Sequence, residues 1–110
     1  VKRYHAHIYY ALENKPYALE VHAKVLSAFS QLPVSHLVDY AVGPHLFPMF
    51  QVAFDESKFD ELITFFTPFS DKLSILIHPL IRDDLVAHTD EAIWIGKKLA
   101  VNIDFLKSLA

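Results

Sequence analysis

The chain reads as an α+β protein of β-α-β-β-α-β order, the ferredoxin-like sandwich, with a short C-terminal helical extension. Three patterns predict it. Tyr4 to Tyr10 alternates apolar and polar side chains as a strand does, and two apolar stripes at helical spacing follow further on. Leu73-Ser74-Ile75-Leu76-Ile77-His78 is almost continuously apolar, which suits a strand in the middle of a sheet.

Taken in order, Asn14 and Pro16 announce a first helix, whose stripe is Ala18, Val21, Val25, Phe29 and Leu32. It ends before Pro33, because the residue ahead of a proline is driven out of helical geometry. His36 to Val42 alternates as a second strand, and Gly43-Pro44 turns the chain into a third from Phe47 to Phe54. Ser57 and Asp60 make a weak capping box for a second helix with the stripe Phe59, Leu62, Ile63 and Phe66, closed by Thr67-Pro68. Beyond the fourth strand, a polar loop from Pro79 to His88 leads to a helical turn through Ala92 and Trp94. Gly96 stands where such a turn ends, and 102–109 forms a last helix. One domain accounts for residues 1–110. Both helices cover the same face of the sheet, so the other face is expected to be open.

Composition narrows the chemistry. At 53% apolar residues, 110 residues suffice for a real core. The chain has no cysteine, so disulfides, thiolate catalysis and cysteine metal sites are excluded. Net charge is −3 and the ten Lys and Arg residues are scattered, which gives no basic stripe for nucleic acid. No apolar run approaches the roughly 18 residues of a membrane helix, and the polar start Val1-Lys2-Arg3-Tyr4-His5 is unlike a signal peptide, so a cytoplasmic protein is expected. An open sheet face on so small a domain favours a homodimer.

The seven histidines carry the functional signal. Strand alternation puts His5, His7 and Tyr9 on one face, with the two imidazoles about 7 Å apart. In this fold the first and fourth strands are neighbours, which brings in His78 at a strand end. His45 lies in the Gly43-Pro44-His45 turn, and His88 lies in the loop that returns over the sheet. Imidazole is the commonest neutral nitrogen ligand for iron, zinc and copper, and a catalytic metal needs about three protein ligands with positions left open. His22, inside the first helix, and His36, opening a strand, read as structural or surface residues. Tyr9 and Trp94 suit a pocket wall or plain core. Met49 and Gln51 share the histidine face for one strand parity, and Asp83-Asp84 reads most simply as a solvated loop, with a carboxylate ligand from it as the alternative.

Tyr4-His5-Ala6-His7-Ile8-Tyr9-Tyr10, Gly43-Pro44-His45 running to Met49-Phe50, Leu76-Ile77-His78-Pro79 and His88-Thr89-Asp90-Glu91-Ala92-Ile93-Trp94-Ile95-Gly96 together resemble the DOPA 4,5-dioxygenase family. The resemblance covers nearly the whole chain. It implies extradiol cleavage of a catechol, such as 3,4-dihydroxyphenylalanine, by non-haem Fe(II) and molecular oxygen, with zinc as a possible occupant in purified material. On that reading His7, His78 and His88 are the metal ligands, and His5 and His45 are acid–base or substrate-orienting residues. A carboxylate such as Glu91 is an alternative ligand, since many non-haem iron sites combine histidines with one. An amino-acid substrate also needs a cation for its carboxylate, for which Lys2, Arg3 and Arg82 are the candidates. Two other readings share the fold: a non-catalytic ligand-binding module, and a cofactor-free monooxygenase built as a dimeric α/β barrel.

Overall fold

The computed structural model describes residues 1–109. A four-stranded antiparallel sheet is built from β1 (Arg3–Tyr9), β2 (Met49–Asp55), β3 (Ser74–Pro79) and β4 (Ile93–Ile95), in the spatial order β2-β1-β3-β4. Helices α1 (Lys15–Ala28) and α2 (Phe59–Phe66) lie against one face. Short helices α3 (Asp84–His88) and α4 (Ile103–Ser108) belong to the C-terminal segment, which crosses the other.

The pleat divides each strand between two environments. Ala6 and Ile8 of β1, Phe50, Val52 and Phe54 of β2, and Ile75 and Ile77 of β3 all point into the main core, where they meet Ala18, Val21 and Val25 of α1 and Leu62 and Phe66 of α2. Leu62 and Phe66 are wholly buried, and each contributes about 2 kcal/mol of apolar burial. Their neighbours in sequence face the opposite way. Tyr9, Met49 and Leu76 form a second, smaller apolar cluster under Ala92, Trp94, Leu99 and Val101.

The first and last predicted strands are thus neighbours, as expected: His5 pairs with His78 and Ala6 with Ile77. Other elements depart from the sequence reading. The stretch from His36 to Val42 is no continuous strand. It follows the edge of β2 through isolated bridges, Val34 to Val52 and Val38 to Met49. Side chains take over the ladder there: Ser35 Oγ accepts from the Gln51 N–H at 2.8 Å, and Asp39 accepts from Tyr10 Oη at 2.6 Å and pairs with Lys15 at 2.5 Å. Such local bonds compete with regular pairing.

The helix expected to run to Leu32 stops at Ala28, with Phe29 leaving helical geometry. Residues 92–94, expected to form a helical turn, instead lead into edge strand β4, because Ile93, Trp94 and Ile95 pair with Ile77, Leu76 and Ile75. The helix of that region lies earlier, at α3, where Asp83 caps the Val86 N–H. The histidine face is therefore not open. The segment from α3 to α4 covers it, which removes the exposed face on which the expectation of a homodimer rested.

Two loops tie this cover down. Gly43 takes φ +58°, allowing Val42 and His45 to exchange backbone hydrogen bonds at 3.0 Å, and Asn102 N–H donates to the Pro44 carbonyl at 2.7 Å. At the end of β4, Gly96 has φ +84°, and a Cβ there would stand 2.8 Å from the Ser70 carbonyl oxygen. Gly96→Ala is expected to lower stability by about 2 kcal/mol or more through combined backbone strain and collision. Equal denaturant midpoints for the two proteins would contradict this.

Candidate metal centre

The site begins with the alternation of β1. His5 and His7 follow Ala6 and Ile8 out of phase, so every residue that seats the strand in the main core forces an imidazole onto the other face. Register with β3 brings His78 alongside, at the strand end just before Pro79. The Gly43–His45 turn folds His45 over β1, held by a bridge between His45 and Val101. His88 closes the group from the end of α3.

All five histidines singled out in the sequence are brought together. Their rings form one connected group: His7 lies 3.9 Å from His45 and 5.0 Å from His78, His78 lies 4.0 Å from His88, and His5 lies 5.5 Å from His78, between centroids. His7, His45, His78 and His88 are buried, while His5 is half-buried at the rim. They line a pocket of about 220 Å³ with Gln51, Asp84 and Leu106 among its other walls. The parity of β2 is settled by its register, since Gln51 sits opposite His7 and Met49 opposite Tyr9.

His22 and His36 stay outside the group. His22 Nε2 donates to the Ser35 carbonyl at 2.8 Å, pinning the edge segment to α1, and His36 is exposed. Glu91 is exposed on the turn after α3, so Asp84 is the acidic residue in the pocket wall. Lys2 lies over the Tyr4 ring, and Arg3 lines a separate groove beside β1 and β2.

Hydrogen bonds decide which ring nitrogens are free. A carbonyl oxygen can only accept, so an Nδ1 bound to one must carry the proton in a neutral imidazole, leaving the lone pair on Nε2. His78 Nδ1 bonds the Pro79 carbonyl at 3.1 Å, and His88 Nδ1 bonds the Asp84 carbonyl at 2.7 Å. Both rings therefore offer Nε2. Backbone bonds of this kind orient histidine ligands in metal sites generally.

His7 Nε2 stands 2.9 Å from His78 Nε2, and its own Nδ1 is buried with no hydrogen-bond partner among the described residues. Two nitrogens held about 2.1 Å from one ion at right angles stand about 3 Å apart, so this spacing fits joint ligation. Nitrogens of His5, His7 and His78 lie within 4.8 Å of one another, as do those of His7, His45 and His88. The expected trio His7, His78 and His88 is not itself one of these groups, since His5 accompanies His7 and His78 in the first and His45 accompanies His7 and His88 in the second. The donor set is all imidazole, and it fits a borderline divalent metal such as Fe(II) or Zn(II).

Burial and mutual proximity keep His5, His7, His45 and His78 neutral. Burial pushes His7 well below the usual histidine range, and the neighbouring His45, His78, His5 and His88 push it further. His78 falls to about 3 and His45 to about 4, each first by burial and then by nearby histidines. His5 is lowered for the same reasons.

Tyr9 Oη lies 2.6 Å from His45 Nδ1, and its ring stacks on Trp94 at 5.9 Å. Both side chains, noted in the sequence as pocket or core residues, thus brace the site. The sequence reads Asp83-Asp84 first as a solvated loop, with a carboxylate ligand from it as the alternative, and the structure puts Asp84 in the pocket wall. The available signal was its spacing: Asp84 and His88 are i and i+4, the separation at which a helical side chain reaches back to a carbonyl.

A buried cluster of imidazoles on a ferredoxin-like sheet defines a metal-competent α+β protein. The comparisons place it more closely. Residues 4–105 match the model of the Dopa 4,5-dioxygenase family, and the chain belongs to that family. DOPA 4,5-dioxygenase of Amanita muscaria is 29% identical over 111 residues, covering 94% of this chain and 49% of that protein. A 21.2 kDa uncharacterized protein of Botryotinia fuckeliana is 29% identical over 114 residues, covering 94% of this chain and 62% of that protein. The chain thus spans about half to three-fifths of these curated relatives. A crystal structure of a proposed dioxygenase from Nostoc punctiforme superposes with a TM-score of 0.84 at 30% identity, over all of this chain and 95% of that one. Among the described residues no helix is long and apolar enough to cross a membrane.

Two outcomes are expected from the geometry. Because the folded pKa values of His45 and His78 lie below the unfolded value of about 6.5, the unfolded chain binds more protons between those limits. Stability of the metal-free protein should be full above about pH 6.5 and fall as pH drops toward 4 and then 3, by up to about 1.4 kcal/mol per pH unit for each group. Unfolding curves at pH 7.5 and 5.0 test this within a window where the carboxylates stay ionised; identical midpoints would refute it. Tyr9→Phe should destabilise the protein by about 1–3 kcal/mol, because it strips a buried ring nitrogen of its partner. Unchanged stability would mean the bond is dispensable.

Proposed function

We propose that this chain forms the catalytic core of a non-haem Fe(II) extradiol dioxygenase that opens the ring of a catechol such as 3,4-dihydroxyphenylalanine with molecular oxygen. One observation carries the reading: five imidazoles converge on one pocket, with the Nε2 lone pairs of His78 and His88 set by backbone carbonyls. Family membership and the likeness to a DOPA 4,5-dioxygenase support the substrate class.

His7, His78 and His88 would hold the metal. When bound, ferrous iron supplies a centre at which a chelated catechol and dioxygen meet. The remaining chemistry belongs to the chain. His5, half-buried at the rim and neutral at pH 7, accepts a catechol proton and hands it to solvent. His45, held by Tyr9, orients a catechol oxygen through Nε2. Leu80, Leu106 and Leu109 in the pocket wall pack against the ring and limit water around it.

The test uses protein stripped of metal, reloaded with ferrous iron without oxygen, mixed with 3,4-dihydroxyphenylalanine and then exposed to oxygen. Yellow ring-opened product and matched oxygen uptake are expected. His7→Ala should lower turnover at least a hundredfold and weaken metal binding. Activity that survives a chelator would favour the cofactor-free monooxygenase. Tight metal binding without turnover on several catechols would eliminate the dioxygenase, and absence of metal binding would favour the binding module.

A further inference from the structure

The histidine pocket is small for the substrate proposed. At about 220 Å³ it falls below the roughly 300–1,000 Å³ usual for small-molecule sites. It does not stand alone. A groove of about 440 Å³ shares Asp84, Leu106 and Leu109 with it and runs outward between α3 and α4. The two together reach the ordinary range. The pocket thus suits the ring, and the groove suits whatever the ring carries.

The outer groove is lined by Arg82 from the loop before α3 and Lys107 from α4. Neither takes part in an ion pair among the described residues, where the pairs are Lys15 with Asp39 and Lys58 with Glu61. Asp83 and Asp84 also line the groove. Asp83 Oδ1 is engaged in capping the Val86 N–H. Asp84 stands at the junction, where the groove meets the histidines. Moving outward from the metal site, a ligand meets imidazoles, then Asp84 with two leucines, then two cations.

We infer that Arg82 and Lys107 are the specificity-determining residues of this site, binding a carboxylate on the side chain of the catechol while its ring sits among the histidines. The inference rests on the dioxygenase reading and adds to it which residues choose the substrate. Arg82 offers a planar fork that matches a carboxylate, and Lys107 adds a second positive charge from the opposite wall. The aliphatic parts of Leu106 and Leu109 flank the path between ring and carboxylate. Asp84 at the junction suits a catechol that also carries an ammonium group beside its carboxylate. Its negative charge disfavours an anion placed deeper in the pocket, so the carboxylate is held at the outer end.

Binding to zinc-loaded protein, which needs no turnover, tests this by calorimetry. The probes are 3-(3,4-dihydroxyphenyl)propionate, which carries a carboxylate, and 4-methylcatechol, which carries none. The propionate should bind at least tenfold more tightly at low salt, and the preference should shrink as salt rises. In the double variant Arg82→Gln, Lys107→Gln the ratio of the two affinities should fall toward one. Lys24→Gln, on α1 across the sheet, should leave the ratio as it is. No preference in the wild-type protein, or a preference that survives the double variant, overturns the inference. If the iron-loaded enzyme still cleaves 4-methylcatechol in that case, the dioxygenase reading stands by itself. If neither catechol binds, both fall.

Discussion

The pairing register of β1 is the constraint on which everything else depends. Ala6 and Ile8 are wholly buried between the sheet and its helices, so the strand has no freedom to slip by one residue. That same register obliges His5, His7 and Tyr9 to face the other way, and it sets His5 opposite His78 and His7 opposite Gln51. The apolar core thus positions the polar site without touching it. A slip of one position would bury two imidazoles in the main core and expose the aliphatic residues, two losses from a single movement.

The second requirement is a cover. A sheet face bearing several imidazoles would leave them solvated and at ordinary pKa, and the C-terminal segment prevents this. Leu76, Met49 and Tyr9 give it an apolar patch to settle on through Trp94, Leu99 and Val101, and β4 adds a strand to the sheet edge. The cover contributes His88 as well as the burial that keeps its neighbours neutral. It also makes the outer groove, because α3 and α4 pack against each other beside the histidine pocket.

What could be read in the chain follows the same division. Strands β1 and β3, both helices and the convergence of His5, His7, His45, His78 and His88 were legible, since each rests on alternation, helical spacing or adjacency of central strands. The edges were not. His36 to Val42 alternates as a strand does, yet Ser35 just before it and Asp39 within it bind backbone and side chains and break the ladder into bridges. Ile93-Trp94-Ile95 is too short to declare its period, and only the exposed edge of β3 makes it a strand. The open face was expected because the two visible helices lie on one side. Nothing in the local pattern of residues 84–109 says where that segment docks; that is a tertiary fact, carried by Trp94 and Val101 finding Tyr9 and Met49. The tautomers of His78 and His88 are set by local carbonyls, Pro79 one residue on and Asp84 four residues back, so which nitrogen each presents follows from the backbone path at the end of β3 and in α3 rather than from residue type alone.

The site works against the stability of the fold that holds it. Four histidines are nine-tenths or more buried, one of them with an unpartnered nitrogen, and their crowding forbids more than a little positive charge. A core built for stability alone would place aliphatic side chains there, as the opposite face of the same strands does. The imidazoles are tolerated because the helical face supplies enough apolar burial and because backbone carbonyls satisfy Nδ1 of His78 and His88. A cation bound among the Nε2 atoms reverses the sign of the arrangement. Crowding that repels a proton from each ring separately becomes convergence on one ion, and the free energy of binding is returned to the fold through linkage. Imidazole convergence and the destabilisation it brings are therefore one feature. A metal among the Nε2 atoms would take the place of the contact between His7 and His78, while His7 Nδ1 stays without a partner among the described residues.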